Sequence, residues 1–180
     1  VNLFTGGDEG EGLDMTGNFV YAIDFYGTGG VTVGDASFTN DSVSGVSISA
    51  TNSIADWYTK NYGNSANDDA LEHVIKSLRW SVYSDVVAVD LDVTPGTEYK
   101  LQLLMSEGCC NRRMDIYVEG VNVADNVNPG DLAGGVNVST NGVVITHTFI
   151  ASDSTLNISV QGDSSNAWKK NDRNPILNAL

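Results

Sequence analysis

The amino-acid sequence predicts an all-β protein built as a two-sheet antiparallel β-sandwich with one short helix. Three observations predict this class: apolar and polar residues alternate in many short segments, turn-forming residues separate those segments, and a single stretch has helical spacing. At 180 residues, the chain is most simply one domain, residues 1–180, with room for a sizeable core.

The alternating segments predict the strands in chain order. FVYAIDFY and VSGVSIS are candidates near the N-terminus, and VVAVDLDV, EYKLQLLM, MDIYVEG, VVITHTF and TLNISVQG follow. The pattern is clearest in EYKLQLLM, where one face carries Tyr99, Leu101, Leu103 and Met105. Because the turn signals TPGTE, EGVN and TNGV lie between the later segments, short connections between antiparallel strands are expected.

The segment NDDALEHVIKSL predicts the helix. Its apolar residues recur at helical spacing and would form one stripe, namely Leu71, Val74, Ile75 and Leu78. We therefore predict a helix over Asp68–Ser77 with Asn67 or Asp68 as its N-cap. In a β-sandwich, a single helix is expected to cover one end of the core.

The charge balance excludes two classes of partner. With 23 acidic against 9 basic residues, the net charge is −14, which repels phosphate backbones and anionic lipid, so neither nucleic acid nor a membrane is an expected partner. Such a surface also serves solubility alone. Because the chain begins at Val1 without a methionine, we expect a monomeric module excised from a larger multidomain protein.

Motifs of catalysis are not persuasive in this chain. We find no G-x-S-x-G motif, zinc-ligand cluster or P-loop, and the two histidines, His73 and His147, suggest no triad. A glycosidase needs two placed carboxylates, but among 23 acidic residues some pair always looks suitable. The sequence therefore favours a protein that is not an enzyme, with a small hydrolase as the weakest alternative.

The order and spacing of several segments carry a resemblance to a known family. SLRWSVY is followed by DLDVTPGTEYKLQLLMSE, NRRMDIYVEGVNVADNVNP, GVVITHTF and LNISVQG, and the chain closes on NPILNAL. This pattern resembles malectin and the malectin-like carbohydrate-binding modules, in a form closer to secreted bacterial relatives than to animal malectin. The resemblance implies a jelly-roll, galactose-binding-like sandwich that binds sugar through loops at one end.

The resemblance also implies a set of site residues. Where malectin has a binding tyrosine, this chain offers Trp80 and Tyr83, and before the terminal NP motif it places Asp172 and Arg173. Trp57, Tyr58 and Trp168 lie in polar loops and are further candidates for stacking on sugar, with ordinary packing as the alternative; Trp80 fits core or site equally. Of Arg112 and Arg113, one is expected to pair with Glu107 and the other to donate to sugar hydroxyls or a carboxylate.

The adjacent pair Cys109 and Cys110 stands where the family carries two neighbouring aromatic residues. Since the chain has no other cysteine, any intramolecular disulfide must join these two, and a secreted origin favours oxidation. A bond between neighbours closes almost no chain loop, so it adds little stability. We predict instead an apolar plate that packs against a sugar face; the alternative is a free or merely loop-stiffening pair.

The acidic N-terminal segment suggests a metal site. Asp8, Glu9 and Glu11, with Asp24 further on, supply oxygen ligands of the kind that calcium takes. A structural calcium is thus a possible addition, and no cofactor is expected to be required. The function we predict is a secreted, extracellular, non-catalytic carbohydrate-binding module that holds an attached enzyme near a poly- or oligosaccharide. The alternative is an adhesion or structural sandwich domain without a sugar site.

Overall fold

The computed structural model describes residues 1–164 and 172–180. Its strands are β1 (Asn2–Phe4), β2 (Ile23–Asp24), β3 (Val31–Val33), β4 (Ala36–Asn40), β5 (Val46–Ser49), β6 (Asn52–Ile54), β7 (Leu78–Trp80), β8 (Val86–Asp92), β9 (Glu98–Met105), β10 (Met114–Val118), β11 (Val121–Val127), β12 (Gly142–Ile150), β13 (Thr155–Gly162) and β14 (Ile176–Leu177). Its helices are α1 (Ala66–Ile75) and α2 (Pro129–Ala133). The predicted β-sandwich is confirmed.

Two sheets form the sandwich. One is five-stranded in the order β11-β10-β13-β8-β5, with antiparallel neighbours, and the other contains β1-β12-β9. Beyond β9, Ala179 bridges Leu104 to Asp24 and so continues the second layer to β2-β4-β3. The β2–β4 pair is parallel, which departs from the purely antiparallel arrangement that the sequence predicted. Between the sheets lies a core of alternate residues, including Leu103, Ile116 and Val160.

The sequence had suggested that the helix covers one end of the core. Instead, α1 lies on the outer face of the second sheet. Its buried residues Leu71, Val74 and Ile75 pack with Leu104 and Val144, which point away from the sandwich interior and form a second core with Phe4 and Phe38. The N-cap is Ser65, and the predicted caps Asn67 and Asp68 lie inside the helix. Asp68 instead completes a capping box with Ser65.

A second helix, α2, was not predicted. Asn128 caps it by accepting a hydrogen bond from the backbone of Asp131, and Pro129 occupies its first turn. The three-stranded sheet β14-β7-β6 lies at the end of the sandwich where β9 ends and β10 begins. No helix in the described residues is long and apolar enough to cross a membrane.

Candidate functional site

A cleft of about 170 Å³ lies at this end of the sandwich. It brings together six residues that the sequence singled out, from four different segments: Trp57, Trp80, Cys109, Cys110, Arg112 and Asp172. Asn174 and the apolar side chains of Ile54, Leu78 and Ile176 complete its lining. The strand β7 places Trp80 between Asn52 of β6 and Ile176 of β14, so the small sheet sets the position of one indole.

The cysteines are joined to each other by a vicinal disulfide, as predicted. Cys109 is exposed and Cys110 is half-buried at the edge of the cleft. The backbone of this loop wraps around one carboxylate oxygen, because Oε1 of Glu107 accepts the N–H groups of Gly108, Cys109 and Cys110, each at 3.0 Å. The loop therefore has a buried anionic centre that fixes the direction of both cysteines.

Arg112 compensates that buried charge. Its Nε donates to the second carboxylate oxygen of Glu107, and the two side chains are 5% and 0% exposed. Its other nitrogens reach Asp172 Oδ2 at 3.3 Å and the carbonyl oxygen of Asn174 at 2.8 Å, while the guanidinium carbon lies 5.8 Å from the centre of the Trp57 ring. Arg112 is thus the predicted partner of Glu107 and ties three segments of the cleft together.

Arg113 has a different environment. It reaches Asp131 at 2.8 Å and Asn126 at 3.4 Å, and it does not line the cleft. Of the two partners expected for the second arginine, Arg113 has a carboxylate, that of Asp131, and its donation to sugar hydroxyls stays untested. Arg112 and Asp172 remain the charged side chains of the cleft lining, and Asp172 is 26% exposed.

The loop that carries Trp57 is tied to a neighbouring loop. Tyr58, Lys60 and Asn61 donate hydrogen bonds to three successive carbonyl groups, those of Asn137 at 2.5 Å, Val138 at 2.6 Å and Ser139 at 3.0 Å. The backbone N–H of Trp57 donates to the carbonyl oxygen of Lys76 at 2.7 Å. Tyr58 therefore holds the loop and does not line the cleft.

Lys60 is a residue that the sequence analysis missed. It is 3% exposed, and burial lowers the pKa of its ammonium group to about 8. Lysine usually stays exposed, so nothing in the segment DWYTKNYGNS marks it as buried. Asn174 was also missed as a cleft residue, although it belongs to the NP motif. Its Oδ1 accepts the Tyr83 N–H at 2.7 Å.

Tyr83 and Arg173 lie outside the cleft, next to it. The Arg173 guanidinium carbon is 3.4 Å from the centre of the Tyr83 ring, and Tyr83 is 41% exposed. Arg173 also donates to the carbonyl oxygen of Asp163 at 3.1 Å. Trp168, the remaining candidate, lies outside the described residues.

Two of the four predicted calcium ligands come together. Carboxylate oxygens of Asp8 and Glu11 lie within 4.8 Å of each other and of one from Asp68. Burial raises the pKa of Asp68, but N–H groups of Gly7 and Ser65 outweigh it and the pKa is lowered. Glu9 is exposed outside this group. The calcium site stays a prediction.

Asp24 does not belong to that acidic group. It is fully buried, and its carboxylate accepts the Ser77 hydroxyl at 2.6 Å and the Gly29 N–H at 3.2 Å. Burial raises the pKa of Asp24 above its ordinary value. These contacts make Asp24 a polar link between the strand β2 and the residue that follows the C-cap of α1.

No family model and no curated protein matches the chain. Among solved structures, the ANXUR2 extracellular domain from Arabidopsis thaliana is similar, with a TM-score of 0.70 and 10% identity over 89% of this chain and 47% of that one. The ANX1 ectodomain from the same plant has a TM-score of 0.69 and 12% identity over 99% of this chain and 52% of that one.

A bacterial enzyme contains a similar domain. The chain matches the beta-glucuronidase of Bacteroides uniformis with a TM-score of 0.62 and 12% identity, over 88% of this chain and 17% of that protein. The chain spans about half the length of the plant ectodomains, 47% and 52%. At these identities the similarity shows the fold alone: the chain shares the β-sandwich fold of these ectodomains, which supports the malectin-like fold that the sequence resemblance implied.

Proposed function

We propose that the chain is a non-catalytic carbohydrate-binding module that binds a poly- or oligosaccharide in the cleft. The observation that carries this proposal is the convergence of two indoles and the disulfide around polar groups of Arg112, Asp172 and Asn174. A pyranose ring presents a face of C–H bonds that packs on flat, polarisable surfaces, and its hydroxyls need hydrogen-bonding partners beside that face. The cleft offers both within one small volume.

The charges of the cleft favour a neutral sugar. The guanidinium of Arg112 is already shared by Glu107 and Asp172, so no positive charge is left over to bind a uronate or sulfate. The Asp172 carboxylate accepts the Asn174 N–H at 2.9 Å and is partly exposed, so it can accept hydrogen bonds from sugar hydroxyls. Among the described residues, the side-chain nitrogen of Asn174 makes no hydrogen bond and can donate.

The setting of the module is part of the proposal. The similar plant structures are named as extracellular domains or ectodomains, and a similar domain occupies 17% of a bacterial beta-glucuronidase. The plant structures support an extracellular location for this chain, and the beta-glucuronidase supports attachment to a larger enzyme, for which we propose a polysaccharide-degrading activity. Bound to its glycan, the module would raise the effective concentration of substrate at such an enzyme. The alternative is an adhesion or structural domain, and in such a domain the cleft would bind no sugar.

Affinity electrophoresis through soluble polysaccharides tests the proposal. The panel contains mixed-linkage β-glucan, xyloglucan, galactomannan and laminarin, with polygalacturonate as an anionic control. We expect retardation by at least one neutral polymer and none by polygalacturonate. Trp57→Ala and Trp80→Ala should each weaken binding several-fold or more, since aromatic stacking contributes about 0.5–1.5 kcal/mol beyond area burial.

The control variant is Tyr26→Ala, which removes an exposed aromatic ring that does not line the cleft. Its melting temperature and that of the tryptophan variants are measured first, so that weaker binding is not confused with unfolding. If folded tryptophan variants bind as well as the unsubstituted protein, the cleft is not the site. Release of reducing sugar from the retarded polymer would show a hydrolase instead.

A further inference from the structure

The terminal segment, residues 178–180, lies extended in the second layer between β9 and β2. Ala179 exchanges two backbone hydrogen bonds with Leu104 of β9, at 2.9 and 3.3 Å. Leu180 exchanges two with Ile23 of β2, at 2.8 and 3.1 Å. Since adjacent strands lie about 4.7–4.9 Å apart, β9 and β2 are roughly 9–10 Å apart here, and the terminal segment fills the space between them as a strand does.

A slot of about 220 Å³, which we call the strand slot, continues the path of the terminal segment, and Leu180 belongs to its lining. Its two walls are residues 98–102 of β9 and residues 18–21, which precede β2. Its floor contains Leu91 and Leu156 of the facing sheet. The strand slot lies beside the start of β9, whereas the cleft lies at the end of the sandwich where β9 ends.

One wall of the strand slot is an open strand edge. The backbone N–H and C=O groups of successive residues in an antiparallel strand point to opposite sides. Because those of Leu104 bind the terminal segment, those of Gln102 and Lys100 face the slot in the same register. Among the residues that the structure describes, neither has a backbone hydrogen bond on that side. An unpaired strand edge of this kind is a template for another strand.

The two faces of the strand slot differ in polarity. Towards the sandwich interior lie Leu91 and Leu156 of the main core. On the outer side, Asp14 binds the Lys100 ammonium group at 2.6 Å and exchanges two hydrogen bonds with Gln102. The slot therefore suits a segment with apolar residues on one face and polar residues on the other, the period-2 pattern of a strand. A sugar fits less well, because its hydroxyls would lose water against the apolar floor.

We propose that the strand slot binds the polypeptide linking this module to its attached enzyme, which enters the slot directly after Leu180 as a β-strand alongside β9. The inference rests on the attachment to an enzyme in the proposed function and adds the form of the connection. The bridge between Ala179 and Leu104 is antiparallel, so the linker runs towards the start of β9 and away from the cleft. The enzyme is therefore held at the end of the sandwich opposite the sugar, and the cleft stays open.

Amide hydrogen exchange and the melting temperature test this inference, with a pentapeptide of defined sequence as the probe for the linker. One extended protein carries TVTVS directly after Leu180. Because side chains alternate along a strand and Leu180 packs against the main core, both valines of TVTVS would face Leu91 and Leu156. We expect the backbone amides of Lys100 and Gln102 to exchange about ten-fold more slowly than in the unextended chain, and the melting temperature to rise.

A matched control carries VTVTS at the same place. It has the same composition, but a shift of one position turns the threonines towards the apolar floor, so its exchange and melting temperature should match those of the unextended chain. The amide of Val121 in β11, far from the slot, should exchange equally in all three proteins. Free acetyl-TVTVS-amide at about 0.1 mM should leave exchange unchanged, because only the joined strand has a high effective concentration.

The outcomes separate the strand slot from the cleft. If TVTVS does not slow exchange, or if TVTVS and VTVTS slow it equally, the strand slot is overturned. If the free peptide slows exchange as much as the joined one, the slot takes a separate peptide and the linker assignment fails. Affinity electrophoresis of the same proteins tests the cleft independently. Retardation by a polysaccharide without slower exchange leaves the proposed function standing and overturns the slot, whereas slower exchange without retardation supports the slot and overturns the carbohydrate function.

Discussion

Replacing Glu107 with glutamine should destabilise the domain strongly, because its charge is buried with that of Arg112. The side chains of this pair are 0% and 5% exposed, and removing one partner of a buried pair costs about 3–5 kcal/mol. Glutamine keeps an oxygen for the three N–H groups of the loop, and Arg112 keeps Asp172 at 3.3 Å. We therefore expect the lower figure, about 3 kcal/mol.

Urea denaturation and calorimetry measure this loss. In a domain of this size, each kcal/mol lowers the melting temperature by about 2–4 °C, so Glu107→Gln should lower it by about 6–12 °C. The control is Asp56→Asn at the exposed pair Lys76–Asp56, 3.4 Å apart with side chains 46% and 73% exposed, which should cost less than about 1 kcal/mol.

A double-mutant cycle shows whether the two charges are coupled. Arg112→Met removes the cation. The double variant should be less destabilised than the sum of the single variants, because each single variant leaves one charge of the pair without its partner whereas the double variant removes both charges. A Glu107→Gln loss no larger than that of the control would contradict the argument. Strictly additive losses in the double variant would contradict it too.

Three further predictions concern other groups. Reduction of the disulfide, or a Cys109→Ser/Cys110→Ser double variant, should lower glycan affinity but change the melting temperature little, since a disulfide between neighbours closes almost no chain loop. Intact-mass measurement after alkylation without reductant checks that the bond is present. Unchanged glycan binding would refute a contact between the disulfide and the sugar. The pKa of Lys60 is about 8 in the folded protein, against an ordinary value of 10.5. Between pH 8 and 10.5 the unfolded chain therefore binds more protons than the folded one, so the free energy of unfolding should rise with pH in this range. The rise should be smaller in the Lys60→Met variant. Calcium should raise the melting temperature by binding Asp8, Glu11 and Asp68. Chelation of calcium, or the substitution Glu11→Gln, should remove this increase. A melting temperature that does not change on chelation would refute the calcium site.

The strand pattern could be predicted where one face of a strand is buried. In β13, Leu156, Ile158 and Val160 alternate with outward residues, as expected. At the end of β9 the alternation fails, because α1 covers the outer face there and Leu104 is buried as completely as its neighbours. An apolar run alone does not tell which helix covers it, so the sequence could not place α1 on that face.

The site could be predicted in part for a similar reason. The resemblance brought Trp80, the cysteines and Asp172 to one place, and the structure puts all of them in the cleft lining. The resemblance did not show which of Trp80 and Tyr83 lines the cleft, because their positions depend on where the strand ends. The strand β7 ends at Trp80, and the following turn carries Tyr83 outside the cleft lining.

The construction of the cysteine loop separates two roles of the disulfide. The three N–H groups that bind Glu107 belong to the backbone, and Arg112 binds the other oxygen of the same carboxylate, so none of these bonds requires the two sulfur atoms to be joined. Reduction therefore changes the surface offered to a ligand more than the anchoring of the loop. Glu107→Gln changes the anchoring and leaves the sulfur atoms in place. If affinity falls on reduction while the melting temperature holds, the sulfur surface itself contacts the sugar; if affinity falls only with Glu107→Gln, the loop serves to position Arg112 and Trp57.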